Sequence, residues 1–460
     1  MCKKKLYPYF KWGGMIIIFA ISLYAAYSIS MVHAPDEELR YQIPYFILKN
    51  GYLPFGTEDA VRSAEWGFSY GFTPYLPSLL SAIFMKIASY FSVNESMILL
   101  SCRIVNVCAA SLTWMVCCMI GERIFKKTSS IVLLALLVTF LPQFIFLSSY
   151  TNNDAFTVMI SGFIIYYWIK GTQDRWKIKD CIRLGIWIGA CALTYYNAYG
   201  FILCSIIYFF FDVIKKRMTL HEIGIRAAII FFSGFTVAGW FFIRNLINHG
   251  DFFGMKIQAE IGEKLAVSWR KPSLRNTPKN IGISFSEAFL GTYYMSINWF
   301  ESTVKSFIGN FGYLKYPLSN FVYATYSVIY FIGFFSGIYY EFVKRKNKIK
   351  LYKNLVINLI LCIIIPIGLS MYYSYAIDYQ AQGRYCISAL LPIMIIIVYG
   401  YERLFAYRIG KFDLRKLTVG IMTIYIGLFI YSYQFVMLKN CKDSTSYVSP
   451  MMTEIIEKYY

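Results

Sequence analysis

Three consecutive acids, Asp36, Glu37 and Glu38, stand where an apolar run from Gly13 to Met31 has just ended, and Arg40 follows within one helical turn. Carboxylates gathered at one point can take the proton of a hydroxyl as it attacks, and guanidinium groups can hold an anion as it leaves. The same kinds of residue recur at the ends of later apolar runs: Asn152, Asn153 and Asp154; Arg244 and Asn245; Asp378, Gln382 and Arg384. Arginine suits a phosphate because its planar fork binds two oxygens at once. At a membrane boundary such groups are costly unless paired or hydrated. The set therefore either satisfies itself or holds a ligand that combines an anionic part with a reacting hydroxyl.

Each member also has a purely structural reading. Asp36–Glu38 could be a solvated loop that sets topology, Arg244 and Arg384 could snorkel to headgroups, and Asp154 could cap the helix that follows. His33, His221 and His249 are scattered, so histidine metal spacing is absent, and no Asp-x-Asp pair marks a nucleotide-sugar site. The acids name no cofactor and leave only a divalent ion open. Most of the 11 cysteines lie inside apolar runs, with no Cys-x-x-Cys, and read as small packing residues.

The elements that must position these residues are membrane helices. Apolar residues make up 58% of the chain and charged residues 15%, where a soluble domain carries about 25% charged. The mean hydropathy is +0.50. The net charge of +20 could suggest nucleic acid, but no soluble basic domain exists to hold it, and cytoplasmic loops account for it better. A helix needs about 20 apolar residues to cross. Eleven segments qualify or nearly so: Gly13–Met31, Leu99–Gly121, Ile131–Ser149, Ala155–Ile169, Ile182–Tyr196, Gly200–Val213, Ile225–Leu246, Phe321–Phe342, Leu355–Tyr375, Tyr385–Leu404 and Leu417–Leu438. The N-terminal run imitates a signal peptide and ends in a small-x-small triplet, Val32-His33-Ala34, but its length and the spans that follow favour an uncleaved first helix.

Thr73–Phe91 is ambiguous, with two prolines and Lys86 in its apolar run. If it lies along the membrane, more than half of the 45 basic residues fall in the N-terminus and five short cytoplasmic loops, as positive-inside sorting requires. If it crossed, all five loops would change sides. The expectation is an all-α polytopic chain with about eleven spans. It has one transmembrane domain over residues 1–440, a first outer loop at about 32–98 and a long outer loop at about 248–320. The N-terminus is cytoplasmic, and residues 441–460 form an extracytoplasmic tail. Every candidate chemical residue then lies on the outer face.

The order of these pieces resembles the GT-C superfamily of integral membrane glycosyltransferases. "PDEELR", Pro35–Arg40, is similar to the acidic motif of the first outer loop in protein O-mannosyltransferases, aminoarabinose transferases and their bacterial relatives, and "FTPYLPSLLSAIF", Phe72–Phe84, resembles the juxtamembrane helix that follows it. "LPQFIFLSSYTNNDAF" (Leu141–Phe156), "WFFIRNLINHGDFFG" (Trp240–Gly254), "SFIGNFGYLKYPL" (Ser306–Leu318) and "QGRYCISALLP" (Gln382–Pro392) look like later junctions of the same group, in order. Departures exist: Phe72-Thr73 stands where a lysine would precede the juxtamembrane motif, and no Trp-Trp-Asp occurs.

The resemblance implies transfer of a sugar from a polyprenyl-phosphate donor to an acceptor hydroxyl at the outer face of a cytoplasmic or inner membrane. The acceptor is an envelope glycan, a lipid-linked glycan or a protein. Inversion by single displacement is implied too. Asp36 takes the role of base, with Glu37 beside it. Asp154 is the second acid, and Arg40, Arg244, Asn245, Gln382 and Arg384 bind substrate. The rival is a transporter or flippase for a lipid-linked glycan, which should carry internal symmetry; no repeat is found.

Overall fold

The computed structural model describes residues 2–290, 297–343, 353–406, 408–409, 412–413, 416–442 and 447–460. Helix dominates. The first half comprises α1 (Cys2–Ser28), α2 (Glu37–Asn50), α3 (Leu76–Ser89), α4 (Glu95–Ile124), α5 (Thr128–Thr139), α6 (Pro142–Ser148), α7 (Asp154–Gln173), α8 (Ile178–Ala192), α9 (Tyr199–Lys215) and α10 (Leu220–His249). The second half comprises α11 (Met255–Leu265), α12 (Phe285–Leu290), α13 (Trp299–Gly309), α14 (Asn320–Phe342), α15 (Lys353–Ala376), α16 (Leu390–Leu404), α17 (Lys416–Ile430), α18 (Lys439–Cys441) and α19 (Pro450–Tyr459). Two antiparallel hairpins of two-residue strands complete the fold: β1 (Asn310–Phe311) with β2 (Tyr316–Pro317), and β3 (Arg408–Ile409) with β4 (Phe412–Asp413).

Local chemistry starts and stops the helices. Asn94 and Asn298 cap α4 and α13 by accepting backbone N–H groups, and Thr219 and Glu222 form a reciprocal capping box on α10, which ends at left-handed Gly250. Packing then sorts the helices. α7 is apolar nearly all round and buried, whereas α10 and α14 leave large apolar residues such as Phe231, Phe232 and Phe331 exposed, as helices facing lipid do. Two pairs approach closely through small residues: Gly185 and Gly189 of α8 against Gly234 of α10, and Gly333 and Gly337 of α14 against Gly400 of α16. The chain is a multi-pass membrane protein.

Every expected span is found as helix, with differences. Among the described residues eight helices are long and apolar enough to cross, and α5 with α6, counted as one bent span, makes a ninth. α7 and α8 occupy the two remaining expected spans without meeting that criterion. Gly13–Met31 does not run to Met31: α1 stops at Ser28 and Met31 enters a 3₁₀ turn. Ile131–Ser149 is not one straight helix, because α5 and α6 meet at 60° where Pro142 starts a new first turn. The tenth span begins as seven residues of 3₁₀ helix, Gly383–Ala389, before α16, and the eleventh passes from α17 into a π-helical stretch, Tyr431–Leu438. α3 holds the ambiguous segment and has 14 residues. At 1.5 Å per residue it is about 21 Å long, short of a core about 30 Å thick.

One buried ion pair ties one end of the bundle together. Glu37 begins α2, and Arg103 lies in the first third of α4; both side chains are wholly buried. Arg103 donates from Nε to Glu37 Oε1 at 2.8 Å, and from Nη1 to the carbonyls of Ala26 and Ile29 at the end of α1 and to Tyr447 Oη. The Thr151 N–H, between α6 and α7, donates to Glu37 Oε1 at 2.7 Å. Five segments therefore meet on two side chains. Removing one partner would strand the other charge in an apolar interior, a loss of about 3–5 kcal/mol. Glu37→Ala is expected to lower the thermal unfolding midpoint of the purified protein sharply, and Glu37→Leu with Arg103→Met together to recover much of it. A melting curve for Glu37→Ala that overlays the parent would contradict this.

Candidate functional site

Asp36 precedes α2 in the left-handed conformation, at φ 62°, and makes no capping bond. A short polar side chain tolerates that backbone, and the turn swings the carboxylate away from the helix it precedes. Its Oδ2 accepts from Arg384 Nη2. The 3₁₀ turn that carries Arg384 is held hard against α13: the Gly383 N–H donates to Ser306 Oγ at 2.8 Å, and a Cβ on Gly383 would run into backbone atoms of Thr303 and Phe307. Only glycine allows this approach, and it brings the next residue to Asp36. Arg384 also donates to Tyr385 Oη at 3.1 Å.

Two more members close the cluster. Arg40, one turn along α2, lies over the Tyr70 ring at 4.2 Å and near Tyr195 at 5.8 Å. Asp154 opens α7, 5% exposed, with its N–H held by Asn152 Oδ1 at 2.7 Å. Asp154 Oδ1 and Arg384 Nε, both buried, have no hydrogen-bond partner among the described residues. Such orphans are rare in folded chains and mark places where a ligand or water belongs. Above Asp36 the β1–β2 turn takes three left-handed residues in a row, Gly312, Tyr313 and Leu314. Strain of this kind on Tyr313 and Leu314 collects at functional sites, and here it puts Tyr313 against Asp36. A cavity of about 900 Å³ opens over the cluster, lined by Asp36, Glu38, Tyr313, Gln382, Arg384 and Tyr385 among others.

The charges set protonation. Burial works to raise the Asp36 pKa, but Arg384 and then Arg40 outweigh it, so the group lies below its ordinary value of 3.8. Asp154 precedes the apolar stretch Ala155–Ile169 and behaves oppositely. Burial dominates, Arg384 and Arg40 only partly offset it, Asp36 adds repulsion, and the pKa is pushed up to about 6. Two carboxylates served by the same arginines are thus split, one ionised and one able to hold a proton near neutrality, the pattern of an acid–base pair.

Of the residues expected here, Asp36, Arg40, Asp154 and Arg384 meet in one cluster and Gln382 lines the cavity. Three do not join them. Glu37 turns the other way into the Arg103 pair, because it is the first helical residue where Asp36 is the left-handed one before it. Arg244 donates to the carbonyls of Leu53 and Pro54 at 3.1 and 2.7 Å, and Asn245 to that of Phe72 at 3.0 Å, so both fasten the segment between α2 and α3. Arg103 and the tyrosines at 70, 195, 313 and 385 were not singled out from sequence. Among 41 tyrosines nothing distinguishes these four, although Tyr385 directly follows Arg384. A divalent ion does not fit the residues present: among the described residues no three His, Cys, Asp or Glu side chains gather, and Asp36 already has a guanidinium partner.

The sequence pattern of the dolichyl-phosphate-mannose-protein mannosyltransferase family matches residues 73–240. No curated protein sequence matches the chain. Its fold is similar to that of two solved proteins. The archaeal oligosaccharyltransferase AglB of Archaeoglobus fulgidus, solved with an inhibitory peptide and a dolichol-phosphate, superposes with a TM-score of 0.56 at 13% identity over 95% of this chain. The chain spans 56% of that protein. ArnT of Cupriavidus metallidurans, bound to undecaprenyl phosphate, gives a TM-score of 0.52 at 10% identity over 93% of this chain and 73% of its own.

The split between the two acids can be read directly. Asp154 is more basic in the folded chain than the ordinary 3.8, so folding favours its protonated form. That contribution to stability is complete below pH 3.8 and is lost as pH rises through about 6. Infrared titration is expected to show a carboxyl band disappearing with a midpoint near 6, absent from Asp154→Asn and moved to higher pH in Arg384→Met, where a cation that favours ionisation is gone. The same midpoint in parent and Asp154→Asn would assign the band elsewhere.

Proposed function

We propose that this chain moves a sugar from a polyprenyl-phosphate carrier to an acceptor hydroxyl at the extracytoplasmic face of a cytoplasmic or inner membrane, with Asp36 as base and inversion at the anomeric carbon. The single observation that carries the reading is the pairing of Asp36 with Arg384, from segments 348 residues apart, beside a wide cavity. The fold shared with AglB and ArnT, whose structures hold dolichol-phosphate and undecaprenyl phosphate, supports a lipid phosphate as donor. In this reading residues 1–440 form one transmembrane domain with a cytoplasmic N-terminus. The loops at about 32–98 and 248–320 and the tail from 441 lie outside.

The chemistry follows from the charges. A donor phosphate entering the cluster competes with Asp36 for Arg384, and Arg40 stands near enough to share the load. As Arg384 turns to the phosphate, Asp36 loses the cation that most depresses its pKa and becomes a better base when a substrate is present. The acceptor oxygen attacks the anomeric carbon and its proton passes to Asp36. The bond from that carbon to the phosphate oxygen breaks, and the phosphate departs with the bonding pair against the guanidinium groups. Asp154, protonated part of the time near neutral pH, orients the acceptor or a sugar hydroxyl. Attack opposite the leaving phosphate inverts the centre.

Asp36→Asn keeps the shape of the side chain and removes the base. With a radiolabelled polyprenyl-phosphate sugar and the purified protein in lipid, its transfer is expected to fall to background while the melting midpoint stays close to that of the parent. Near-normal transfer would take Asp36 out of the role. Arg384→Ala should raise the apparent donor KM or lower kcat by about 100-fold for one lost charge-assisted contact to phosphate, and an unchanged donor response would contradict the assignment.

A further inference from the structure

The cavity continues outward from Asp36 and Arg384 into a second region built from three sequence-distant segments: the first outer loop, the turn after α11, and the tail helix α19. The loops are locked together. Gly67, at φ 71°, lets its backbone meet Ala266 where a Cβ would collide, and the Val267 N–H donates to the Glu65 carbonyl at 3.1 Å. Arg270 and Arg275 lie over the Trp66 ring at 4.2 and 5.2 Å. This wall is preorganised.

Its chemistry is specific. Acids and bases alternate along it: Asp59 with Arg62 at 2.6 Å, Glu65 with Arg270 at 2.6 Å, and Glu454 with Lys458 one turn apart on α19. A wall for an anionic ligand would be uniformly basic, and a wall for an apolar chain would be greasy. Interleaved donors and acceptors instead suit groups that both donate and accept, which is what vicinal hydroxyls do. In the midst of this polar wall stands Trp269, 71% exposed and lining the cavity. An indole in that setting offers an apolar face to the C–H side of a sugar ring while the polar groups take its hydroxyls. At about 900 Å³ the whole cavity lies at the top of the roughly 300–1,000 Å³ range of small-ligand pockets, so it holds more than one sugar unit.

We infer that the outer half of the cavity, with Trp269 as platform and the Asp59–Arg62, Glu65–Arg270 and Glu454–Lys458 doublets as wall, is an acceptor subsite for an uncharged oligosaccharide. The inference rests on the reaction proposed above, because the chain end that the platform holds reaches the Asp36–Arg384 floor.

The test measures binding without donor, so it stands apart from transfer. The full-length protein in lipid nanodiscs is titrated by calorimetry with a panel of uncharged linear tetrasaccharides of glucose, mannose, galactose and N-acetylglucosamine. At least one is expected to bind, to weaken by about 10-fold in Trp269→Ala, and to be retained in Trp269→Phe, which keeps an aromatic face. No binding by any member overturns the subsite. So does binding only of carboxylated or phosphorylated oligosaccharides, or binding of a serine- and threonine-rich peptide with no saccharide bound. A Trp269→Ala variant with the saccharide affinity of the parent would overturn the platform. If tetrasaccharide binding and its loss in Trp269→Ala stand while transfer from polyprenyl phosphate fails, the subsite survives and the proposed reaction falls.

Discussion

One end of this bundle depends on a charge pair placed where water cannot reach it. Glu37 and Arg103 are fully buried, and between them they satisfy two carbonyls at the end of α1, the N–H of Thr151 and the hydroxyl of Tyr447. Isolated charges in an apolar interior are strongly unfavourable, so each holds the other and both hold the segments that donate to or accept from them. A pair of this kind adds little to net stability compared with apolar packing. Its effect is geometric: it sets how α2, α4 and the turn before α7 meet, and those are the segments from which Asp36, Arg40 and Asp154 project.

Neighbouring acids thereby take different roles. Asp36 adopts the left-handed backbone and Glu37 starts a right-handed helix, so consecutive carboxylates point into different environments. One is bound into the scaffold. The other faces an open cavity and accepts from the Arg384 guanidinium. The site sits one residue from its anchor, which keeps Asp36 placed. The glycine contact that seats Gly383 on α13 does the same from the other side, by forcing a 3₁₀ start on the helix that carries Arg384. A 3₁₀ run of seven residues is uncommon.

Much of the fold was legible in the sequence because hydrophobic runs long enough to cross a bilayer have few alternative uses. The runs that diverged did so at identifiable chemistry. Pro142 breaks a span that hydrophobicity alone reads as continuous, and Gly383 tightens the start of another. At the site, Asp36, Arg40, Asp154 and Arg384 could be chosen because charge beside an apolar run is costly and therefore needs a reason. Arg103 lies in the first third of its helix, where a charge has no marker in the sequence; its burial is settled by the segments that fold over it. Arg244 and Asn245 looked equally suited to a ligand, but their donors are taken by the carbonyls of Leu53, Pro54 and Phe72 between α2 and α3. Tyrosines 70, 195, 313 and 385 had no marker, since an aromatic residue near a membrane surface is ordinary.

Composition and periodicity by themselves determined that this chain crosses the membrane many times, which residues carry charge at the ends of its helices, and that those charges form two complementary kinds. They could not say which acid meets which arginine. Pairing between residues hundreds of positions apart is decided by helix packing, backbone handedness at single residues and the few places where a missing side chain lets two backbones touch. These act over ångströms, and a one-dimensional pattern holds no record of distance.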